Sequence, residues 1–360
     1  MRRGFIFTVH SIAGLVSGLF ILLLSLSGSV LVFHEELDRL QYPVIIPEGN
    51  TPVLAIDSCY NSLQRKFPHA QISNCTIAEN STRPFIFTIY DPAYNSGTEA
   101  AQVFIHPRTA AILKTRSDKN NLLSWIGSFH NSFHLGKKGE WLLGFFAVVF
   151  LLSIITGLIQ YRKNVLAVVL FRKRIFKKKN LHQLIGTYAL LFNLMAGITG
   201  FWMQRYVFKK DFYKSRNYTP VLKTSPALFY SLDSSFKNIQ EKFPGFTGHV
   251  VYFAQSKKGK TAIYGSQKTN SFIHSKKFAD AIFLDSAGGI AITAFVTEID
   301  PSSRYDIISS QVHFGQYGGW PVKIIYSLFG LTGGLLSITG FLLWLKRIRS
   351  VKRKTREYEK

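Results

Sequence analysis

Four of the ten histidines in this 360-residue chain recur at matched positions in its two halves, and imidazole is a side chain suited to hold a metal in apolar surroundings. His10 opens the run His10-Ser-Ile-Ala-Gly14 and stands 18 residues before Gly28 of a Ser27-Gly28 pair. His182 opens His182-Gln-Leu-Ile-Gly186 and stands the same 18 residues before Gly200 of Thr199-Gly200. His130 precedes Gly157 of Thr156-Gly157 by 27 residues, and His313 precedes Gly340 of Thr339-Gly340 by 27. Two neutral imidazoles facing one another form the axial set of a low-spin haem, a group suited to one-electron transfer. Mononuclear zinc requires a third or fourth donor, and no Cys or acidic residue stands near His10 or His182 in the sequence. A histidine at a helix end also serves simply as an interfacial residue, and small residues in apolar helices also serve packing. Duplication of both pairs at fixed spacing favours ligation.

The elements that must position these side chains are apolar. Residues 4–34, 141–161, 180–204 and 324–345 contain no Asp, Glu, Lys or Arg, and each run reaches the ~20 residues a helix needs to cross a bilayer. Transmembrane helices are therefore expected over 4–34, 141–161, 180–204 and 321–345. The first is too long for a signal peptide and lacks a small-x-small cleavage site after Val32, so it is expected to remain attached.

The net charge of +24 is unevenly placed. Arg2 and Arg3 precede the first span, eight basic residues fill the loop 162–179, and eight more lie in the tail 346–360 against only Glu357 and Glu359. The positive-inside rule makes both termini and this loop cytoplasmic, and attraction to anionic membrane lipid accounts for the charge without nucleic acid. Segments 35–140 and 205–320 are then exported.

On this topology His10 and His182 lie just inside the cytoplasmic boundary, and His130 and His313 lie at matching heights on the outer side. A pseudo-twofold axis along the membrane normal makes each pair face across the bundle. Eighteen residues are five helical turns, so Gly28 falls on the His10 face and Gly200 on the His182 face, near the outer pair, where a flat macrocycle needs close backbone approach. Gly157 and Gly340 lie level with the inner pair. Gly14, Gly186, Gly28 and Gly200 join the four histidines as candidate cofactor-binding positions. His34 and His134 have Tyr206 and Tyr317 as counterparts, and either histidine is a substitute ligand or a supporting donor at the outer site. His69, His106, His249 and His274 read as surface or turn residues.

The exported segments repeat as well. Residues 52–66 and 226–243 read as amphipathic helices, each stopped at a Lys-Phe-Pro, and strand-like alternation follows at 85–90, 102–105, 249–253 and 281–284. The expected fold is a membrane all-α four-helix bundle carrying two small α+β modules, the whole an internal duplication. Cys59 and Cys75 lie in the first module, where a disulfide and a pair of buried free thiols are both open. Neither belongs to a Cys-x-x-Cys-His motif, which excludes covalent haem, and no Gly-x-Gly-x-x-Gly opens a flavin or nicotinamide domain.

The segments His10-Ser-Ile-Ala-Gly-Leu, Ser27-Gly-Ser-Val-Leu-Val-Phe-His-Glu-Glu-Leu-Asp38, Phe129-His130 with Leu135-Gly136, Leu181-His182-Gln-Leu-Ile-Gly186 and His313-Phe-Gly315 together resemble the PepSY-associated transmembrane family. The resemblance covers nearly the whole chain. It implies a bacterial inner-membrane protein with two b-type haems and periplasmic PepSY-like modules, which passes electrons to a ferric siderophore or similar acceptor. The matching ligands are His10, His130, His182 and His313. The family's Asp-Pro-x-Thr-Gly turn departs here to His106-Pro107-Arg108-Thr109-Ala110 and Asp285-Ser286-Ala287-Gly288.

The functional expectation is a haem-dependent oxidoreductase of the ferric-siderophore-reductase kind, fed by quinol or a cytoplasmic reductase. Trp125, Tyr317, Trp320, Lys137 and Lys138 are candidates for an acceptor groove or for an interfacial belt. The rival readings are a non-redox membrane-anchored binding or regulatory module, and a transporter, against which the span centres carry no charged residue.

Overall fold

The computed structural model describes residues 3–44, 46, 55–78, 82–92, 100–117, 121–169, 181–215, 224–267 and 278–358. The chain runs through α1 (Arg3–Leu31), α2 (His34–Gln41), α3 (Ile56–Lys66), β1 (Gln71–Thr76), β2 (Phe85–Tyr90), β3 (Ala100–Ile105) and β4 (Ile112–Ser117). Next come α4 (Leu122–Ser132), α5 (Lys137–Val169), α6 (Leu181–Tyr188), α7 (Leu190–Gln204) and the short α8 (Phe212–Ser215). The remainder is α9 (Leu232–Lys242), β5 (Phe246–Tyr252), β6 (Thr261–Gln267), β7 (Asp280–Leu284), β8 (Ile290–Ala294), α10 (Pro301–Phe314) and α11 (Gly319–Tyr358). Two compact units result, one of residues 1–34, 126–216 and 312–360, the other of 35–125 and 217–311. The expected segments 35–140 and 205–320 are thus each divided, and His130 and His313 fall in the first unit.

In the first unit, α1, α5 and α11 are long and apolar enough to cross a membrane. A straight span over 180–204 is not what forms. Instead α6 and the helix that follows meet at a 64° bend, giving four spans if the pair counts as one. Polar side chains around the bend compete for its backbone or bond across to α11. The Thr187 hydroxyl donates to the Gln183 carbonyl at 2.8 Å, and the Asn193 amide donates to the Ala189 carbonyl at 3.0 Å and to the Thr332 hydroxyl at 2.9 Å. Helices α5 and α11 run beyond the expected 141–161 and 321–345, because Lys, Arg and Glu are good helix formers and no proline stops them. Helix α1 packs against α5 and α11, and both of those pack against α6 and α7. Glycine permits the α1–α11 approach: a β-carbon on Gly330 or Gly333 would lie 2.7 Å from the hydroxyl of Ser29 or Ser25. The basic loop lies largely outside the described residues.

The second unit differs from the expected two modules. All eight strands form one antiparallel sheet in the order β4-β3-β2-β1-β5-β6-β7-β8. The two four-stranded halves are joined where β1 pairs with β5, Cys75 opposite Val251. Each half would otherwise expose an apolar edge strand, and pairing the two edges satisfies both. Alternation is regular in β2, where Phe85, Phe87 and Ile89 are buried. Those residues meet Tyr60 and Leu63 of α3 and Phe236 and Ile239 of α9 in one continuous core.

Both amphipathic helices end at their Lys-Phe-Pro: the Phe67 and Phe243 amides bond the carbonyls of Leu63 and Ile239. Helix α9 starts at Leu232 rather than near 226 because Ser231 caps it, its hydroxyl accepting from the Ser234 amide. Cys59 and Cys75 are free thiols buried in this core. Burial first, then Asp233, pushes the Cys59 thiol up to about 12.

Candidate haem-ligand site

His10 on α1 and His182 on α6 face each other with ring centres 6.2 Å apart and planes inclined at 68°. A metal bonded to two imidazoles at about 2.0–2.1 Å, with each ring centre about 1.1 Å beyond its nitrogen, separates the centres by about 6.3 Å. The spacing therefore fits one ion between the two rings.

The free ring nitrogen is fixed by what the other one bonds. Nδ1 of His10 lies 2.9 Å from the Ser153 carbonyl oxygen and 3.4 Å from the Thr156 hydroxyl. A carbonyl only accepts, so Nδ1 carries the proton and Nε2 keeps its lone pair for a metal. Nδ1 of His182 lies 2.9 Å from the Thr339 hydroxyl, which donates its own proton to the Leu335 carbonyl at 2.7 Å and so accepts from the ring. The glycine after each threonine receives the edge of the imidazole. A β-carbon on Gly157 would lie 2.9 Å from Cε1 of His10, and one on Gly340 3.3 Å from Cε1 of His182.

The second pair repeats this arrangement. Nδ1 of His130, on α4, lies 2.9 Å from the Ser27 hydroxyl, and Nδ1 of His313, on α10, lies 3.0 Å from the Thr199 hydroxyl. Ser27 donates to the Leu23 carbonyl at 2.9 Å and Thr199 to the Met195 carbonyl at 2.7 Å, four residues back in each helix. Gly28 and Gly200 receive the rings, with would-be β-carbons 3.0 and 3.2 Å from Cε1 of His130 and His313. Burial, joined at His130 by the nearby His313, lowers His130 and His313 to about 4, well below the usual histidine range. The neutral imidazole is the ligating form.

The glycines therefore have a part that their spacing alone does not show. Gly28 and Gly200 lie at the second pair as the spacing requires, but they make room for the imidazole ring of a neighbouring helix. Spacing alone gives the four hydroxyls no role, although each stands directly before its glycine as a visible Ser-Gly or Thr-Gly. Within each half the histidines cross over. His10 docks on the Thr156-Gly157 of α5 while His130 docks on the Ser27-Gly28 of α1, and the second half repeats this with His182 and His313.

A cavity of about 750 Å³ adjoins the first pair, lined by His10, His182, Gly14 and Gly186 among others. That volume lies within the ~300–1,000 Å³ of cofactor pockets. β-carbons on Gly14 and Gly186 would meet neighbours only at 3.6 Å, so these two glycines line the cavity without touching a histidine. Among the described residues no three His, Cys, Asp or Glu side chains converge on one point. Paired donors without a third suit a group that brings its own equatorial ligands, as haem does, rather than mononuclear zinc.

Other candidates stand elsewhere. His34 opens α2 and is exposed, and no bond ties it to His130 or His313. His134 is exposed in a left-handed turn at φ 59°, with its ring 5.9 Å from Phe129. Their tyrosine counterparts are engaged: Tyr206 donates to Glu140 at 2.8 Å, and Tyr317 bonds Tyr326 at 2.8 Å. His106 accepts from the Arg108 amide and holds a turn, while His274 lies outside the described residues. Of the expected acceptor groove, Trp125 belongs to the sheet unit, whereas Lys137, Lys138, Tyr317 and Trp320 belong to the helical one.

No curated protein matches the sequence. A sequence profile described as the PepSY-associated TM region matches residues 7–347, which is nearly the full length. This is a membrane protein with long apolar helices, and the chain belongs to the PepSY-associated transmembrane family.

Proposed function

We propose that this protein is a diheme b-type cytochrome of the bacterial inner membrane that carries single electrons outward to a periplasmic acceptor, with a ferric siderophore favoured. In this reading α1, α5, the bent α6–α7 pair and α11 are the four spans of a bundle. The basic loop and both termini are cytoplasmic, and the sheet unit, built from the PepSY-like segments, is periplasmic. The observation that carries the reading is the fourfold unit of imidazole, Ser or Thr hydroxyl, and glycine, with one pair of rings 6.2 Å apart beside a cavity of about 750 Å³.

His10 and His182 would hold the inner haem through Nε2, and His130 and His313 the outer one. Ser27, Thr156, Thr199 and Thr339 keep Nδ1 protonated and orient each ring. The walls of the cavity are largely apolar, which suits a flat apolar macrocycle. Haem, when bound, supplies reversible one-electron chemistry. Reduction of an acceptor's Fe(III) to Fe(II) weakens binding by hard oxygen donors and releases the metal.

The test is the absorption spectrum and haem content of the detergent-purified full-length protein. Two non-covalent haems per chain are expected, and His10→Ala or His182→Ala should leave one. A colourless preparation from haem-replete cells rejects the cytochrome and leaves a non-redox membrane-anchored module. Mixing the reduced protein with a ferric hydroxamate and a chromogenic Fe(II) chelator tests the acceptor separately: colour is expected, and its absence rejects ferric siderophore alone.

A further inference from the structure

The cavity beside His10 and His182 is uneven in charge. Its lining runs from Ile21, Leu22, Asn193 and Gly333 at mid-helix to Gln160, Gln183 and Arg347 toward the α11 C-terminus. Among the described residues that line it, Arg347 alone carries a full charge, and no Asp or Glu is present to offset it. Arg347 stands seven residues past Gly340, two turns along the same face of α11. Helical side chains lean toward the N-terminus, so its long side chain reaches back toward the histidine layer. The guanidinium carbon rests 4.7 Å from the ring centre of Phe7, which lies one turn before His10 on α1. In the first half of the chain the residue seven past Gly157 is Asn164, with Arg162 and Lys163 directly before it.

We infer that Arg347 is the anion-binding residue of this cavity and takes the carboxylate edge of its ligand. The inference rests on the proposed haem reading and deepens it. A haem is an apolar plane with two carboxylates on one edge. Among the described lining residues only Arg347 offers those carboxylates a cationic partner, and a guanidinium binds carboxylate through paired N–H donors. The ligand then has one orientation, with its charged edge toward the α11 C-terminal end and its apolar edge against Ile21 and Leu22. Specificity for a free dicarboxylate tetrapyrrole over an uncharged one follows from the same contact.

The experiment titrates full-length protein, produced in haem-depleted cells and purified in detergent, with haem and with its dimethyl ester. A His313→Ala background confines binding to the His10–His182 site. Haem is expected to bind about ten- to a hundredfold more tightly than the ester, the range for a lost charge-assisted bond. Arg347→Gln should lower haem affinity toward that of the ester and abolish the difference, and Arg347→Lys should restore part of it. Equal affinity for haem and ester in the His313→Ala protein overturns the role of Arg347 and leaves the haem reading standing, and it does so with Arg347 intact. Unchanged discrimination in Arg347→Gln does the same. Failure of the otherwise unmodified chain to bind either tetrapyrrole overturns both.

Discussion

At Gly157 a β-carbon would sit 2.9 Å from Cε1 of His10, closer than real side chains tolerate, whereas at Gly14 the nearest neighbour is 3.6 Å away, an ordinary contact. The two glycines are alike in the sequence and unlike in consequence. Gly157→Ala should push the His10 ring off its Thr156 and Ser153 partners and, on the proposed diheme reading, remove the haem of that pair. Gly14→Ala should keep both haems. Haem content per chain, measured by pyridine haemochrome, checks this, and equal effects of the two substitutions would contradict the docking geometry. At each histidine the chemistry is divided in the same way: the hydroxyl, joined at His10 by a carbonyl, decides which nitrogen holds the proton, and the glycine decides where the ring can lie.

Helices α3 and α9 carry a comparable exchange at their N-termini. The Ile56 amide donates to Asp233 at 2.9 Å, and the Leu232 amide donates to Asp57 at 2.8 Å, so each helix supplies a carboxylate for the other's first turn. Burial, then the charge of Asp57, raises Asp233 above its ordinary 3.8. A carboxyl with a raised folded pKa holds its proton more tightly when folded. From pH 3.8 up through the raised folded value unfolding releases a proton, and the sheet unit loses stability as pH rises. Asp233→Asn keeps the acceptor oxygen for Ile56 and should flatten that slope. The urea midpoint of the full-length protein across this range is the measurement. A slope unchanged in the variant would show that the burden lies elsewhere.

For the molecule as a whole, duplication produced two different results. In the helical unit the halves contribute one histidine each to the His10–His182 pair, while in the sheet unit they share one eight-stranded sheet through β1 and β5. Those two strands lie at the centre of the order and β4 and β8 at its edges. Hydrogen exchange on the full-length protein should therefore be slowest in β1 and β5 and fastest in β4 and β8. If β1 and β5 exchanged as fast as the edges, the halves would be separate modules.

Much of this was legible in the chain by itself, because it depends on composition and short-range period. The charge-free runs mark the apolar helices, the alternation of Phe85, Phe87 and Ile89 marks a strand, and the repeated intervals mark the four histidines. What only the tertiary structure decided depends on partners distant in sequence. The Thr156 hydroxyl that helps orient His10 is 146 residues away, and Val251, opposite Cys75, has no local signal that names its partner. The bend at Ala189 likewise owes to Asn193 reaching Thr332 across 139 residues. Periodicity reports which face of an element is apolar; it carries nothing about which other element that face will meet.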